Sequence, residues 1–329
     1  MTLDVLRRGI LPLLLIAEIV CFAPVCGVSG ASPAEFFESS LAFGSDLAVR
    51  AAPLALLAFG MTLVLATAGV DLSIASAAAL VAGVMSLCQP GMSFWWTAVP
   101  LGIGLGLLLG AFNGWLIAGL DVPPIIATLG TLFFYRGLAE IVLGDRENAP
   151  FGDVPGYGWL GSVSGALILS GIVLIGGGLY FTWSRWRREL LMLGGNRVAA
   201  RYAGIPVFWR LFQVYALMGL LAGLAASCFT ARDGSVKASS WTGYELQVIV
   251  AVILGGTRVS GGNASIFGST MGVLLIVVLD EGLHGLSFTY PRALPFDVSH
   301  LQYLLMGLLL VGGVWLNTHL GAKRVAASR

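Results

Sequence analysis

Charge is what this sequence has least of: Asp, Glu, Lys and Arg make up 11% of its 329 residues, 17 acidic against 18 basic, while 57% are hydrophobic. With a mean hydropathy of +0.89, so little charge excludes an ordinary soluble domain, a disordered segment and a nucleic-acid-binding surface. Histidine is scarcer still: His284, His300 and His319 form no HExxH pair, so no zinc hydrolase is indicated. There are only two lysines, Lys237 after Val236 and Lys323 after Ala322, so the GKS or GKT of a phosphate-binding loop is missing. No GxSxG elbow presents a serine nucleophile. The four cysteines, Cys21, Cys26, Cys88 and Cys228, form no CxxC pair and sit in or near apolar runs as small packing residues. No hydrophilic block reaches the roughly 50 residues of a separate fold, so residues 1–329 are expected to form a single membrane domain.

What is present in excess is apolar sequence and glycine, 45 residues of it, the pattern of closely packed membrane helices. Ten runs approach the about 20 apolar residues a helical span needs: 9–28, 48–69, 73–88, 96–119, 123–143, 164–184, 209–230, 244–259, 264–287 and 300–320. The expectation is an all-α, polytopic membrane protein of about ten helices. The third and eighth runs are short, and the breaks at Asp71 and at 258–263 are marked by glycine or serine, which suggests broken helices. The first 26 residues have a basic start and an apolar run like a signal peptide. No small-x-small cleavage site follows, so they are read as a retained span.

Six of the 18 basic residues gather in 185–210, RWRRELLMLGGNRVAARYAGIPVFWR. Basic residues near span ends stay cytoplasmic. With both termini inside, Arg7, Arg8, Arg185, Arg187, Arg188, Arg197, Arg201, Arg210, Arg258, Lys323, Arg324 and Arg329 all fall inside, twelve of 18. Arg50, Arg136, Arg146, Arg232, Lys237 and Arg292 fall in spans or outer loops. Trp95, Trp96 and Trp159 outside, with Trp183, Trp186 and Trp209 inside, suit interfacial belts.

Several polar residues within the spans invite a role. Asp71 is an acid at a span end, readable as a helix N-cap or as part of a solute path. Gly102, Gly106, Gly110 and Gly114 line one face of the fourth span for close helix approach, with Asn113 beside them as an interhelical or ligand hydrogen-bonding group. The fifth span starts at Pro123 and Pro124 and carries Thr128 and Thr131, then Arg136 and Glu140, four apart and able to pair on one helix face. Glu245 opens the eighth span, and Glu18 stands alone in the first. In the basic segment, Gly194, Gly195 and Asn196 are expected to break the chain, and RVAARYAG to form a short helix ended by Gly204 and Pro206. Such a helix could settle into a groove of another protein or lie against anionic lipid headgroups.

Four segments in order carry a resemblance: GMTLVLATAGVDLSIAS at 60–76, GAFNGWLIAGLDVPPIIATLGTLFFYRGLAEIV at 110–142, GGNRVAARYAGIPV at 194–207 and GYELQVIVAVILGGTRVSGGNASIFGSTMGVLL at 243–275. From about residue 55 to 290 the chain resembles the permease subunits of bacterial ABC importers for monosaccharides and related small sugars, the ribose, xylose, arabinose, rhamnose and autoinducer-2 group. Ala68 and Ala75 stand where members of that family commonly carry glycine, and both stay small.

The resemblance implies an ABC importer permease fold in the bacterial inner membrane. The chain binds no cofactor of its own; ATP and Mg belong to a separate ATPase subunit. The partners implied are that ATPase, a second permease copy or sister permease, and a periplasmic sugar-binding protein. It also implies a substrate pathway near Asp71, Asn113, Thr128, Thr131, Arg136 and Glu245. Segment 185–210 is implied to be the coupling loop, with Gly195, Asn196, Ala199, Ala200, Gly204 and Ile205 at the ATPase. The competing reading is a self-sufficient secondary transporter or channel for a small neutral solute. Its intramembrane charge candidates are few: Glu18, Asp280 and Glu281.

Overall fold

Inside hydrocarbon every backbone polar group must be satisfied within the protein, which leaves helices as the way for separate segments to cross. A computed structural model of the protein describes residues 3–28, 32–88, 94–144, 151, 154–289 and 298–327, and among these no β-sheet forms. Arg146, Arg292 and Arg329 of the charge tally lie outside the described residues. The helices run α1 (Leu3–Phe22), α2 (Pro33–Ala66), α3 (Ile74–Ser86), α4 (Phe94–Gly119) and α5 (Pro124–Leu143). After a 3-10 turn at Tyr157–Gly161, α6 (Val163–Gly171) and α7 (Gly178–Trp183) join through a wide turn, Ile172–Gly177, into one span. Then follow α8 (Arg185–Gly195), α9 (Arg197–Tyr202), α10 (Val207–Asp233), α11 (Tyr244–Leu254), α12 (Ile266–Thr289) and α13 (Val298–Ala327).

Among the described residues apolar helices stand at all ten expected places, and six of these are long and apolar enough to cross a membrane. The expected count of about ten helices is therefore not confirmed as ten crossings. The shortfall is clearest in α3 and α11, with 13 and 11 residues, or about 20 Å and 16 Å of helix against about 30 Å of hydrocarbon. One helix is longer than expected instead. α2 has 34 residues, starting at Pro33 rather than near 48, with the Ser32 hydroxyl accepting from the Glu35 amide at 3.3 Å.

α2 and α10 form the centre: 78% of the most apolar window of each is buried, against 28% in α5 and 11% across α6–α7. Short α3 is enclosed almost completely, with eleven of its 13 residues buried. The exposed faces carry Ile125, Phe133 and Ile141 on α5, and Ile168 and Ile175 on the α6–α7 span. They are suited to lipid rather than water.

The glycine stripe of α4 meets a second one on α10. A Cβ on Gly106 or Gly110 would run into the Gly219 or Tyr215 carbonyl oxygen, and one on Gly219 into the Gly106 oxygen. Backbone therefore touches backbone, the close approach for which small residues at four-residue spacing are used.

Candidate functional site

The chain between α2 and α3 unwinds over residues 67–73 in the middle of the protein. Ala68 takes a positive φ of 61°, the left-handed conformation for which glycine is favoured. Buried backbone without helix must find other partners, and the side chains here supply them. Asp71, 2% exposed, accepts from the Ser73 amide at 2.9 Å and the Ser73 hydroxyl at 2.7 Å. This is an Asx turn on Ser73 itself, so the expected N-cap is corrected: no side chain caps the first-turn amides of α3. Asn113 Nδ2 donates to Ser73 Oγ at 2.8 Å from α4, and the Thr128 hydroxyl of α5 lies 3.2 Å from the Val70 carbonyl. Two helices, α4 and α5, thus hold one turn.

Around this turn, Asp71, Ser73, Asn113, Tyr135 and Gly219 enclose a cavity of about 10 Å³. That is below the roughly 300–1,000 Å³ of ordinary ligand pockets, so the site as it stands is closed. Tyr135 donates to the Leu109 carbonyl at 2.9 Å. The Tyr215 hydroxyl, against which Gly69 is packed, and Asn113 Oδ1 are buried and find no partner among the described residues. Thr131 is buried but spends its hydroxyl on the Ala127 and Thr128 carbonyls of its own helix.

Arg136 and Glu245 lie apart from this group. The Arg136 guanidinium donates to the Ala238 carbonyl and has Glu245 as its strongest charged neighbour, with Glu140 next. The expected Arg136–Glu140 pair is thus shared with α11. Arg136, Glu140, Lys237 and Thr242 border an open hollow of about 910 Å³ at the far end of α5. The expected pathway residues therefore divide: Asp71, Asn113 and Thr128 lie around the unwound turn, Arg136 lies at the hollow, and Glu245 is a charged neighbour of Arg136.

The basic segment forms as the sequence suggests. Asn196 accepts from the Val198 amide at 3.0 Å and the Ala199 amide at 2.9 Å, capping α9, and Gly204 turns the chain with φ 78°. The break falls after Gly195, which ends α8. Gly195, Asn196, Ala199 and Gly204 are exposed and Ile205 is half-buried, whereas Ala200 is fully buried and faces the protein. The outward face belongs to Val198 and Tyr202, 64% and 90% exposed, which sequence reasoning did not single out.

α8 and α9 touch the turn regions directly. Gly194 sits where a Cβ would run into the Ala66 carbonyl oxygen at the end of α2, and the Gly262 amide donates to that same oxygen at 3.1 Å. Gly261, with φ 77°, packs against Ala68. Arg197 at the start of α9 pairs with Asp121 at 3.6 Å, and Asp121 itself has φ 52° in the turn between α4 and α5. The Arg197–Asp121 and Ser73–Asn113 links were not anticipated. The only sequence signal for the second is the Asp-Leu-Ser spacing of an Asx turn.

Two of the three acids that could serve a self-coupled carrier are engaged. Glu281 pairs with Arg50 at 2.9 Å, and Asp280 accepts from Gln302 and faces His284 at 3.8 Å. Glu18 keeps a buried carboxylate oxygen with no partner among the described residues, and nothing in the structure explains it.

The family model described as branched-chain amino acid transport system / permease component matches residues 45–314. The ribose import permease of Escherichia coli strain K12 is 36% identical over 70% of this chain and 74% of its own. The ribose import permease of Bacillus subtilis is 34% identical over 80% of each chain. The autoinducer 2 import system permease protein LsrC of Klebsiella pneumoniae is 32% identical over 79% of this chain and 75% of its own. No solved structure matches the chain. With a helical bundle built for a bilayer and a family match over most of its length, the chain belongs to this family of membrane permeases and is the permease subunit of an ABC importer.

Proposed function

We propose that the protein imports a monosaccharide or similar small sugar across the bacterial inner membrane, receiving it from a periplasmic binding protein. A separate ATPase, carrying ATP and Mg, drives it, and it works as a pair with a second copy or a sister permease. Both termini and α8–α9 face the cytoplasm. Relatives named for ribose and autoinducer 2 import support the cargo class. The polar, weakly charged surroundings of the unwound turn suit a neutral polyol, which needs scattered hydrogen bonds rather than an ion site.

The observation that carries the reading is the seating of α8 on the end of α2. Gly194 and Gly262 both close on the Ala66 carbonyl, five residues before Asp71. A push on the exposed face of α9 is therefore delivered to the turn that Asp71, Ser73 and Asn113 hold shut. Chain motion rather than local chemistry is what this contact can transmit.

The test is the exposed face. Ala199→Trp should leave the protein folded and inserted but prevent copurification of the ATPase and stop uptake. Ala200→Trp, buried, should lower folded yield instead. Normal ATPase recovery with Ala199→Trp would remove α9 as the coupling element, and uptake in vesicles without any ATPase would favour the self-sufficient carrier.

A further inference from the structure

A groove of about 690 Å³ runs between α2, the α6–α7 span, α8 and α10, and the import reading leaves it unused. Its shaft is apolar, walled by Phe59, Ile172, Val173, Leu217, Leu220 and Leu224. The wide turn Ile172–Gly177 makes the room: a Cβ on Gly177 would come within 2.8 Å of the Phe59 ring, so any larger residue there would narrow the shaft. One wall belongs to the least buried span of the protein, so the groove adjoins lipid.

The mouth is of opposite character. Ser184, Arg185, Arg210 and Gln213 border it. α8 opens with Arg185, Arg187 and Arg188 against one acid, Glu189, and Arg210 already binds that acid. Arg185 is exposed and finds no partner among the described residues. Trp183 and Trp209 stand exposed beside it, 76% and 57%, as residues at a headgroup level do. An apolar shaft that ends at an unpaired arginine on a helix N-terminus matches one kind of molecule in a bilayer.

We propose that this groove is a binding site for an anionic phospholipid, with an acyl chain along Leu217 and Leu220 and the phosphate at Arg185 and the first turn of α8. A zwitterionic lipid brings the same tail but places its own cation among the arginines. Because α8 is seated on the end of α2, a lipid held here steadies the element that carries the push from α9.

The experiment uses the full chain in nanodiscs of phosphatidylcholine with a minor fraction of phosphatidylglycerol. Lipid retained after detergent extraction is counted by native mass spectrometry. The wild type and Arg188→Gln, which removes an exposed charge outside the groove, should keep phosphatidylglycerol at least five-fold over its bulk share. Arg185→Gln should lose that preference while keeping its fold, and Leu217→Trp, which fills the shaft, should lose the retained lipid of either kind. Equal loss in Arg185→Gln and Arg188→Gln would mean diffuse charge attraction and overturn the site, as would equal retention of both lipids by the wild type. Disulfide-linked dimers of Tyr180→Cys would show a second copy covering the groove and overturn it as well.

Discussion

Ser73 is the residue on which the closed turn depends most, although no sequence argument picked it out. Its hydroxyl donates to Asp71 and accepts from Asn113, so one oxygen links the turn to α4. Ser73→Ala removes both bonds in a buried place, where an orphaned polar group costs about 1–3 kcal/mol. The expected result is a lower melting temperature of the detergent-solubilised protein and reduced uptake, with Ser73→Thr close to wild type. An unchanged melting temperature in Ser73→Ala would show that the cluster does not hold the turn. The glycines make a second residue-scale prediction. Gly219→Leu would drive a side chain into the α4 backbone, whereas Gly104→Leu points into open space. Overpacking costs typically about 1–3 kcal/mol or more, so Gly219→Leu should fail to give monodisperse protein and Gly104→Leu should behave as wild type.

Among the elements, α9 was legible and α2 was not, for opposite physical reasons. The limits of α9 are written in single residues: Asn196 at its start, Gly204 and Pro206 at its end, each acting through its own backbone conformation or hydrogen bond. Asn196→Ala removes the acceptor for two amides, at about 1 kcal/mol. Six-residue α9 has little else to hold it, so ATPase stimulation should fall while the melting temperature hardly moves. Asn196→Asp should retain the stimulation. The first 15 residues of α2 escaped a hydropathy reading because Glu35, Glu38 and Asp46 break the apolar run. Their signal was instead the Ser32-Pro33-Ala34-Glu35 start, a capping pattern with proline at the first helical position. The site divided along the same line. Asp71, Asn113 and Thr128 converge because each reaches a named atom of one turn, while Arg136 meets the Ala238 carbonyl and the charge of Glu245 through long-range neighbours that no spacing encodes.

At the scale of the molecule, sidedness decides whether the other readings cohere. α4 ends and α5 begins at Asp121, which reaches Arg197 of α9, so the α4–α5 turn and α8–α9 lie on one side. Arg136 and Glu140 border the hollow at the other end of α5, beside the 237–242 segment. Short α3 starts from the unwound turn between these two faces and is packed against α5 by Gly83 at Leu143. The protein is thus a stack: a basic layer at one end, a closed polar turn next to it, and a charged hollow at the other end. In the proposed orientation, which follows the positive-inside rule, the basic layer faces the cytoplasm. Tyr202→Cys, 90% exposed in the native residue, should react with an impermeant maleimide only in inside-out vesicles. Trp159→Cys, on the opposite face, should react only in whole cells with a permeabilised outer membrane. Labelling of Tyr202→Cys from outside would invert the stack, put α9 beyond the reach of any cytoplasmic ATPase, and leave the seating of α8 on α2 without a driver.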